Sequence, residues 1–240
     1  MSPELCHSAH VDHDCYRTGF PIRWRFTETL SCYSDRVFAP LVKRSAQKYA
    51  STIGTPEHFV EMLFLVEDKR FPVHFGMDPI AVARALVFNA RGGPLQGAST
   101  ISQQIYTVRN RRRGKVSRSF GHKLKQMSWS LAVSAFRSKQ AILREYVDTV
   151  YWGKSYYGLD EAAKGYFNKA RTALSPAQSF FLAERLATPN RVSMQRIWNL
   201  LNRNPIILTL HRNSAALADV VEVYDKIFDC GGELCQVLAK

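Results

Sequence analysis

From Thr55 onward, apolar residues recur every three or four positions, and helix-cap signals punctuate them at short intervals. That pattern fits a succession of helices and leaves little room for a sheet. Thr55-Pro56 reads as an N-cap followed by proline at the first helical position, with Phe59, Met62, Leu63 and Val66 as the stripe behind it. Asp78-Pro79 opens a second helix to about Ala90, broken at Gly92-Gly93-Pro94. Thr100 with Gln103 makes a capping box for a third. Phe120, Leu124, Met127, Leu131 and Ala135 share one face of a longer fourth helix, and Ser138 opens a fifth carrying Ile142, Tyr146 and Val150. Asp160 opens a short helix with Ala162, Ala163 and Phe167. Ser175-Pro176-Ala177-Gln178 starts a capped run to Ala187. A looser region follows Thr188-Pro189-Asn190, and a last amphipathic helix spans about Ser214–Phe228, with Leu217, Val220, Val221 and Tyr224 on its face. No alternating strand pattern of useful length and no repeat is present, so the expected class is mainly α. Residues 1–54 carry weak periodicity and read as an irregular extension with one helix around Arg36–Ala50.

At 240 residues the chain fits one large domain or two small ones and can bury a substantial core. No apolar stretch approaches the roughly 20 residues of a membrane-spanning helix, and no short apolar segment near the start reads as a signal peptide; composition alone predicts a soluble chain. The net charge of +13 favours an anionic partner: nucleic acid, acidic lipid or a phosphate-bearing substrate. The densest basic run is Arg109, Arg111, Arg112, Arg113, Lys115 and Arg118, which reads equally well as a solvated loop. The five cysteines, Cys6, Cys15, Cys32, Cys230 and Cys235, form no C-x-x-C pair, and the odd count argues against a complete disulfide framework. Cys6, His7, His10, His13 and Cys15 crowd together, but their spacing matches no closed zinc site; a loosely packed N-terminus is the simpler expectation.

Three features carry chemistry. Glu67 follows Leu63 by four residues and Phe59 by eight, which places it on the buried side of the first strong helix, near the end that Pro72 enforces. Desolvation and the negative helix terminus both disfavour the carboxylate, so its pKa is expected to rise, as suits a proton acceptor near neutral pH. The competing reading is a helix-end Glu paired with Lys69 or Arg70. Arg84 is the only charge between Ile80 and Ala90; if buried, it needs Glu67, a structural carboxylate or a substrate phosphate as partner. The Gly97-to-Gln104 segment brings hydroxyls and backbone amides to a helix N-terminus, which can cradle an anion or simply cap the helix.

Together these pieces resemble glycosyltransferase family 51, the lysozyme-like peptidoglycan glycosyltransferases of penicillin-binding proteins and monofunctional transglycosylases. The first motif, E-D-x-x-F-x-x-H-x-G, is met by Glu67, Asp68, Phe71, His74 and Gly76, and the second, G-x-S-T-I-x-Q-Q, by Gly97, Ser99, Thr100, Ile101, Gln103 and Gln104. Ile142, Leu143, Tyr146, Tyr151 and Gly153, then Gly158, Ala162, Ala163, Tyr166, Phe167 and Lys169, resemble two later segments in order and spacing. The resemblance covers roughly Pro56 to Asn190. It implies a lysozyme-like domain over 55–190 with a small membrane-facing jaw, to which Val87, Phe88, Ile105 and Tyr106 could contribute if they are not core, and a helical extension over 191–240. By the same resemblance Glu67 is the catalytic residue, deprotonating the acceptor hydroxyl of lipid II while undecaprenyl pyrophosphate leaves. Asp68, Phe71, His74, Gly97, Ser99, Thr100, Gln103, Gln104, Lys123 and Gln126 line the substrate site, and Arg84, Arg118 and Lys125 meet the pyrophosphate.

Four positions depart from the family pattern. The third motif, R-K-x-x-E, is His122-Lys123-Leu124-Lys125-Gln126, so the second acidic residue is Gln126, which cannot ionise. Thr107 stands for a lysine, Gln178 for a glutamate and Asp148 for an asparagine. Arg109 or Arg111, about a turn beyond Thr107, is the expected substitute for the lost lysine's charge. The implied partners are lipid II, the growing glycan strand, an anionic membrane surface and other cell-wall synthesis proteins, with nucleic acid excluded. The implied location is the periplasmic face of a bacterial inner membrane, although no signal peptide or spanning segment is visible. No resident cofactor is implied, with Mg2+ or Mn2+ as a possible aid to pyrophosphate binding. A protein that keeps the fold as a binding or scaffold factor is the alternative, favoured by Thr107 and Gln126, and a lysozyme-like hydrolase is a third reading.

Overall fold

The structure, a computed structural model, describes residues 22–92, 97–112, 119–212, 215–230 and 234. It is mainly helical, as the periodicity predicts. The chain runs α1 (Ile22–Ile53), α2 (Glu57–Glu67), α3 (Pro79–Ala90), α4 (Ile101–Arg112), α5 (Phe120–Phe136) and α6 (Lys139–Thr149). A small hairpin of β1 (Tyr151–Gly153) and β2 (Tyr156–Tyr157) follows, then α7 (Leu159–Phe167), α8 (Pro176–Arg185), α9 (Met194–Leu201), α10 (Asn204–His211) and α11 (Ala216–Phe228).

Helix α2 is the axis of the fold. Every residue from Phe59 to Leu65 is buried, because α1, α8 and α10 enclose it. Full burial of each of its large apolar side chains contributes on the order of 1.5–3 kcal/mol. Burial also captures Glu61, whose carboxylate is neutralised by Arg212 and accepts a 2.9 Å hydrogen bond from Thr209 Oγ1. The helix starts one residue later than the sequence suggests, with Pro56 at the N-cap and no side-chain cap. It ends at Glu67, and Asp68 N–H donates to Phe64 O as the helix closes.

Helix α1 is far longer than the segment around Arg36–Ala50 and continues through Pro40. Its inner stripe, Val42, Ala46, Tyr49, Ala50 and Ile53, is buried against α2. Two alanines and a tyrosine make a faint hydrophobic signal, and a proline reads as a breaker. The region after Asn190 contains α9 and α10, which the sequence reading leaves as loose chain. Each spans only 8 residues, too short for periodicity to stand out. The hairpin also escaped notice: its strands have 3 and 2 residues, joined by Lys154 and Ser155, both at positive φ. The Cys/His cluster from Cys6 to Cys15 lies outside the described residues.

Helix α5 turns most of its apolar face outward. Leu124, Leu131 and Ala135 face outward, while Gln126 and Ser130 are buried. The side turned inward is polar because it meets the first and second motifs, not the apolar core. Gly76 makes that approach possible. It sits at φ +72°, and a Cβ there would lie 2.3 Å from Ser130 O and 2.8 Å from Ser134 Oγ on α5. Ile105 is fully buried in the core and cannot belong to an outer surface; Phe88 and Tyr106 are half-buried, and Val87 is exposed. Helix α3 buries only Ala81 and Ala85, leaving Ile80, Leu86 and Val87 exposed. Among the described residues no helix is long and apolar enough to cross a membrane.

Gly54 is a natural control for Gly76, since it has φ +66° but nothing within 4 Å of an added Cβ. Gly54→Ala should cost about 1–2 kcal/mol from the left-handed backbone alone. Gly76→Ala should cost about 2–5 kcal/mol, because overlap with α5 adds to that strain. Urea denaturation of both variants checks the difference.

Candidate active site

Hydrogen bonds between the chain after α2 and the start of α4 assemble the site. Asp68, the C-cap of α2, receives Ile101 N–H at 3.0 Å on Oδ2, at the start of α4. His74 Nε2 lies 2.9 Å from both of the same carboxylate's oxygens. A carboxylate at a helix N-terminus is stabilised by the exposed amides and the dipole there. Thr100 Oγ1 donates to Gly76 O at 2.6 Å, tying the second motif back to the end of the first. Thr100 and Gln103 form the expected reciprocal cap, at 3.2 and 3.3 Å.

With α2 and α4 so joined, Glu67 comes to face Gln104. Gln104 Nε2 donates to Glu67 Oε2 at 2.8 Å. The amide cannot turn away, because Tyr146 Oη donates to Gln104 Oε1 at 2.6 Å. Tyr146 is fully buried and its pKa is well above the ordinary tyrosine value, chiefly through desolvation, so it remains a donor. Glu67 itself has a raised pKa. Burial is the largest cause, Asp68 and Glu184 add to it, and Gln104 and Arg196 oppose it. Arg70 pairs with Asp78 at 2.6 Å rather than with Glu67, and Arg196 stands 3.8 Å from the Glu67 carboxylate. Arg196 was not singled out from the sequence. It lies in the loosely patterned region, 129 positions from Glu67 by residue number, and no local motif marks it.

Beyond Gln104 opens a cavity of about 180 Å3, whose walls include Ser99, Thr107, Arg111, Gln126 and Tyr151. Lys123 stands behind its wall, donating to Ser99 Oγ at 3.0 Å and to Gln126 Oε1 at 2.7 Å. Burial lowers the Lys123 pKa. Gln126 uses both ends of its amide: Nε2 donates to Gln103 O at 2.9 Å and to Thr107 Oγ1 at 2.8 Å. The two departures at 107 and 126 are therefore in direct contact. Of the two candidate replacements for the missing lysine, Arg109 is occupied: it pairs with Glu145 at 2.5 Å and lies over the Trp129 ring at 5.3 Å. Arg111 is exposed and lines the cavity.

The remaining sequence-derived residues divide by burial. Asp68, Phe71, His74, Thr100 and Gln103 are buried and face one another or the core, so they hold the site in shape. Gly97 is exposed just ahead of α4, Lys125 is exposed on α5, and Arg84 is half-buried on α3. Arg118 lies outside the described residues. Among the described residues no three His, Cys, Asp or Glu side chains converge as metal ligands.

Fold and site together define a helical domain that holds one desolvated carboxylate, joined through Gln104 to a cavity with Arg111 in its lining. The chain belongs to the transglycosylase family (Transgly), whose sequence model matches residues 35–211. It is 38% identical over 130 residues to a "Biosynthetic peptidoglycan transglycosylase" of Xanthomonas campestris pv. campestris (strain B100), covering 54% of this chain and 52% of that protein. A protein of the same description from Pseudomonas fluorescens is 35% identical over 133 residues, 55% of this chain and 52% of the relative. "Penicillin-binding protein 1A" of Aquifex aeolicus is 34% identical over 140 residues, 56% of this chain but 18% of that protein. The matched segments thus span about half the length of the transglycosylases and less of the penicillin-binding protein.

A raised carboxylate pKa has a stability signature. The folded protein holds the Glu67 proton more tightly than the unfolded chain, so that stabilisation is complete below the ordinary carboxylate pKa and lost as pH rises through the folded value. Glu67→Gln, which keeps the shape without the buried charge, should therefore melt above wild type at pH 8. The two melting curves should converge near pH 4, as differential scanning calorimetry would register.

Proposed function

We propose that this chain is the catalytic part of a peptidoglycan glycosyltransferase that polymerises lipid II into glycan strands. The observation that carries the reading is the Glu67 carboxylate, desolvated and held by Gln104, which Tyr146 fixes and which itself lines the cavity. Ionised Glu67 accepts the proton of the acceptor's 4-hydroxyl as that oxygen bonds to the anomeric carbon of the growing chain. The anomeric carbon–oxygen bond to the pyrophosphate breaks with inversion, and undecaprenyl pyrophosphate departs with the electron pair. Arg111 and Lys123 supply positive charge at the cavity, with Arg84, Lys125 and Arg118 assigned to the same anion by the motif match alone. The catalytic unit is assigned to residues 55–190, with the flanking helices packed on it.

The substrate is lipid-linked, so the reaction belongs at a membrane surface, and we assign it to the periplasmic face of the bacterial inner membrane. The exposed apolar residues Ile80, Leu86, Val87, Leu124, Leu131 and Phe136 support such a contact, and the net charge of +13 suits anionic headgroups. The alternative reading, a binding or scaffold factor in cell-wall assembly, draws on the neutral Thr107–Gln126 pair where the family pattern has charges.

With purified lipid II, Glu67→Gln should lower polymerisation about 10²–10⁴-fold while the protein stays folded. No difference between wild type and variant, or no product from folded wild type, would transfer the assignment to the scaffold reading. Arg111→Ala should reduce the rate about tenfold or more through loss of a charge-assisted phosphate contact. Arg109→Ala should act mainly on stability, by releasing Glu145. Equal rates for wild type and Arg111→Ala would remove Arg111 from the anion site.

A further inference from the structure

The described molecule holds a second buried carboxylate close to Glu67 for which the motif reading gives no role. Glu184 lies in the last turn of α8 beside Arg185, and both are without solvent exposure. Arg185 binds it through Nε at 2.8 Å and through a second guanidinium nitrogen, and Tyr224 Oη donates to it at 2.9 Å. Arg185 is itself packed over Phe181, Tyr224 and Phe228. That assembly fixes Glu184 but leaves its Oε1 turned toward α9, where Arg196 Nε stands 3.6 Å away. The same guanidinium reaches Glu67 Oε1 at 3.8 Å with its NH2 nitrogen.

From this geometry we propose that Arg196, anchored by Glu184, is a positioning residue that sets the proton affinity and orientation of Glu67. The proposal rests on Glu67 being the proton acceptor.

The charge count supports it. Glu184 is shared between Arg185 and Arg196, and the two guanidiniums and two carboxylates of this group sum to zero when Glu67 is ionised. When Glu67 takes up a proton during turnover, Arg196 loses one partner but retains Glu184, so it is never a stranded half-buried charge. Both contacts are ion pairs longer than a hydrogen bond, and Arg196 Nε is buried without a hydrogen-bond partner. Arg196 therefore influences Glu67 through its field, without competing with Gln104 for a carboxylate lone pair. The local chain places it: Ser193 Oγ caps α9 by accepting Arg196 N–H at 3.4 Å, and Ile197 anchors the same turn in the core. Its side chain is 31% exposed, so a shape-preserving replacement should not break the fold.

The test titrates Glu67 in the full chain by 13C-carboxyl NMR, with its signal assigned as the one missing from Glu67→Gln. Arg196→Met, which keeps the stem and removes the charge, should move the Glu67 midpoint to higher pH, and Arg196→Lys should restore most of the shift. In the polymerisation assay, the acid limb of kcat/KM should move the same way, with roughly a 10–100-fold loss near pH 6. Glu184→Gln should move the midpoint in the opposite direction, because it removes a neighbouring negative charge and leaves Arg196 to Glu67 alone. If Glu184→Gln does not fold, the Arg196 pair still decides. An unmoved midpoint in folded Arg196→Met would overturn the proposal and leave Arg196 a purely structural contact. The NMR readout does not depend on activity, so it separates this failure from failure of the glycosyltransferase assignment.

Discussion

The Asp68 carboxylate is the joint on which the site depends. It closes α2, receives the first amide of α4 and is held against His74, all within 3.0 Å. Asp68 and Ile101 are separated by 33 positions, and nothing else in the local chain compels them to meet. Once they do, Glu67 and Gln104, each a short step along its own helix, lie opposite one another. The adjacent acidic residues thus have opposite tasks. Asp68 is satisfied by donors and stays structural, while Glu67 receives one amide and one distant cation and stays available to a proton.

That availability follows from enclosing α2 on all sides. A helix buried from Phe59 to Leu65 stabilises the domain through apolar burial, and the same enclosure desolvates the carboxylate at its end. Stability and reactivity therefore oppose each other at Glu67: the fold would gain from a neutral side chain there, and proton transfer requires the acid. Tyr146 and Gln104 limit the conflict by aiming the carboxylate without making it comfortable. A single amide donor lowers its pKa less than burial raises it.

Much of this was legible in the sequence, and the exceptions have physical causes. Caps were readable because their chemistry is local: Asp78, Thr100, Ser138 and Ser175 all accept or exchange the bonds their spacing implies. Glu67 was readable because helical spacing put it beside Leu63 and Phe59. Helix α5 was readable as a helix, but periodicity records where apolar residues lie, not which face the protein buries, and its buried face is polar where it meets Gln103 and Thr107. Arg196, Glu184 and Arg185 were invisible as a group. Their meeting depends on how α8, α9 and α11 fold back on α2, and no spacing within the chain encodes it.

Two of the four departures from the family pattern become one when positions 107 and 126 are seen in contact. A carboxylate at 126 would still accept from Lys123, but it could not donate to Gln103 O and would set one oxygen against another. A lysine at 107 would bring a second cation toward Lys123, whose pKa burial already lowers. The amide and the hydroxyl satisfy each other, both carbonyl and ammonium neighbours, and leave the pocket neutral at that point. Whatever positive charge the cavity offers an anion must then come from Lys123 and from the rim, where Arg111 stands. Gln126 can do no acid–base work, so on the proposed reading that work falls to Glu67. On the proposed reading the site is asymmetric: one carboxylate, Glu67, with Arg196 3.8 Å behind it, and beyond Gln104 a cavity with Arg111 in its lining and Lys123 behind its wall.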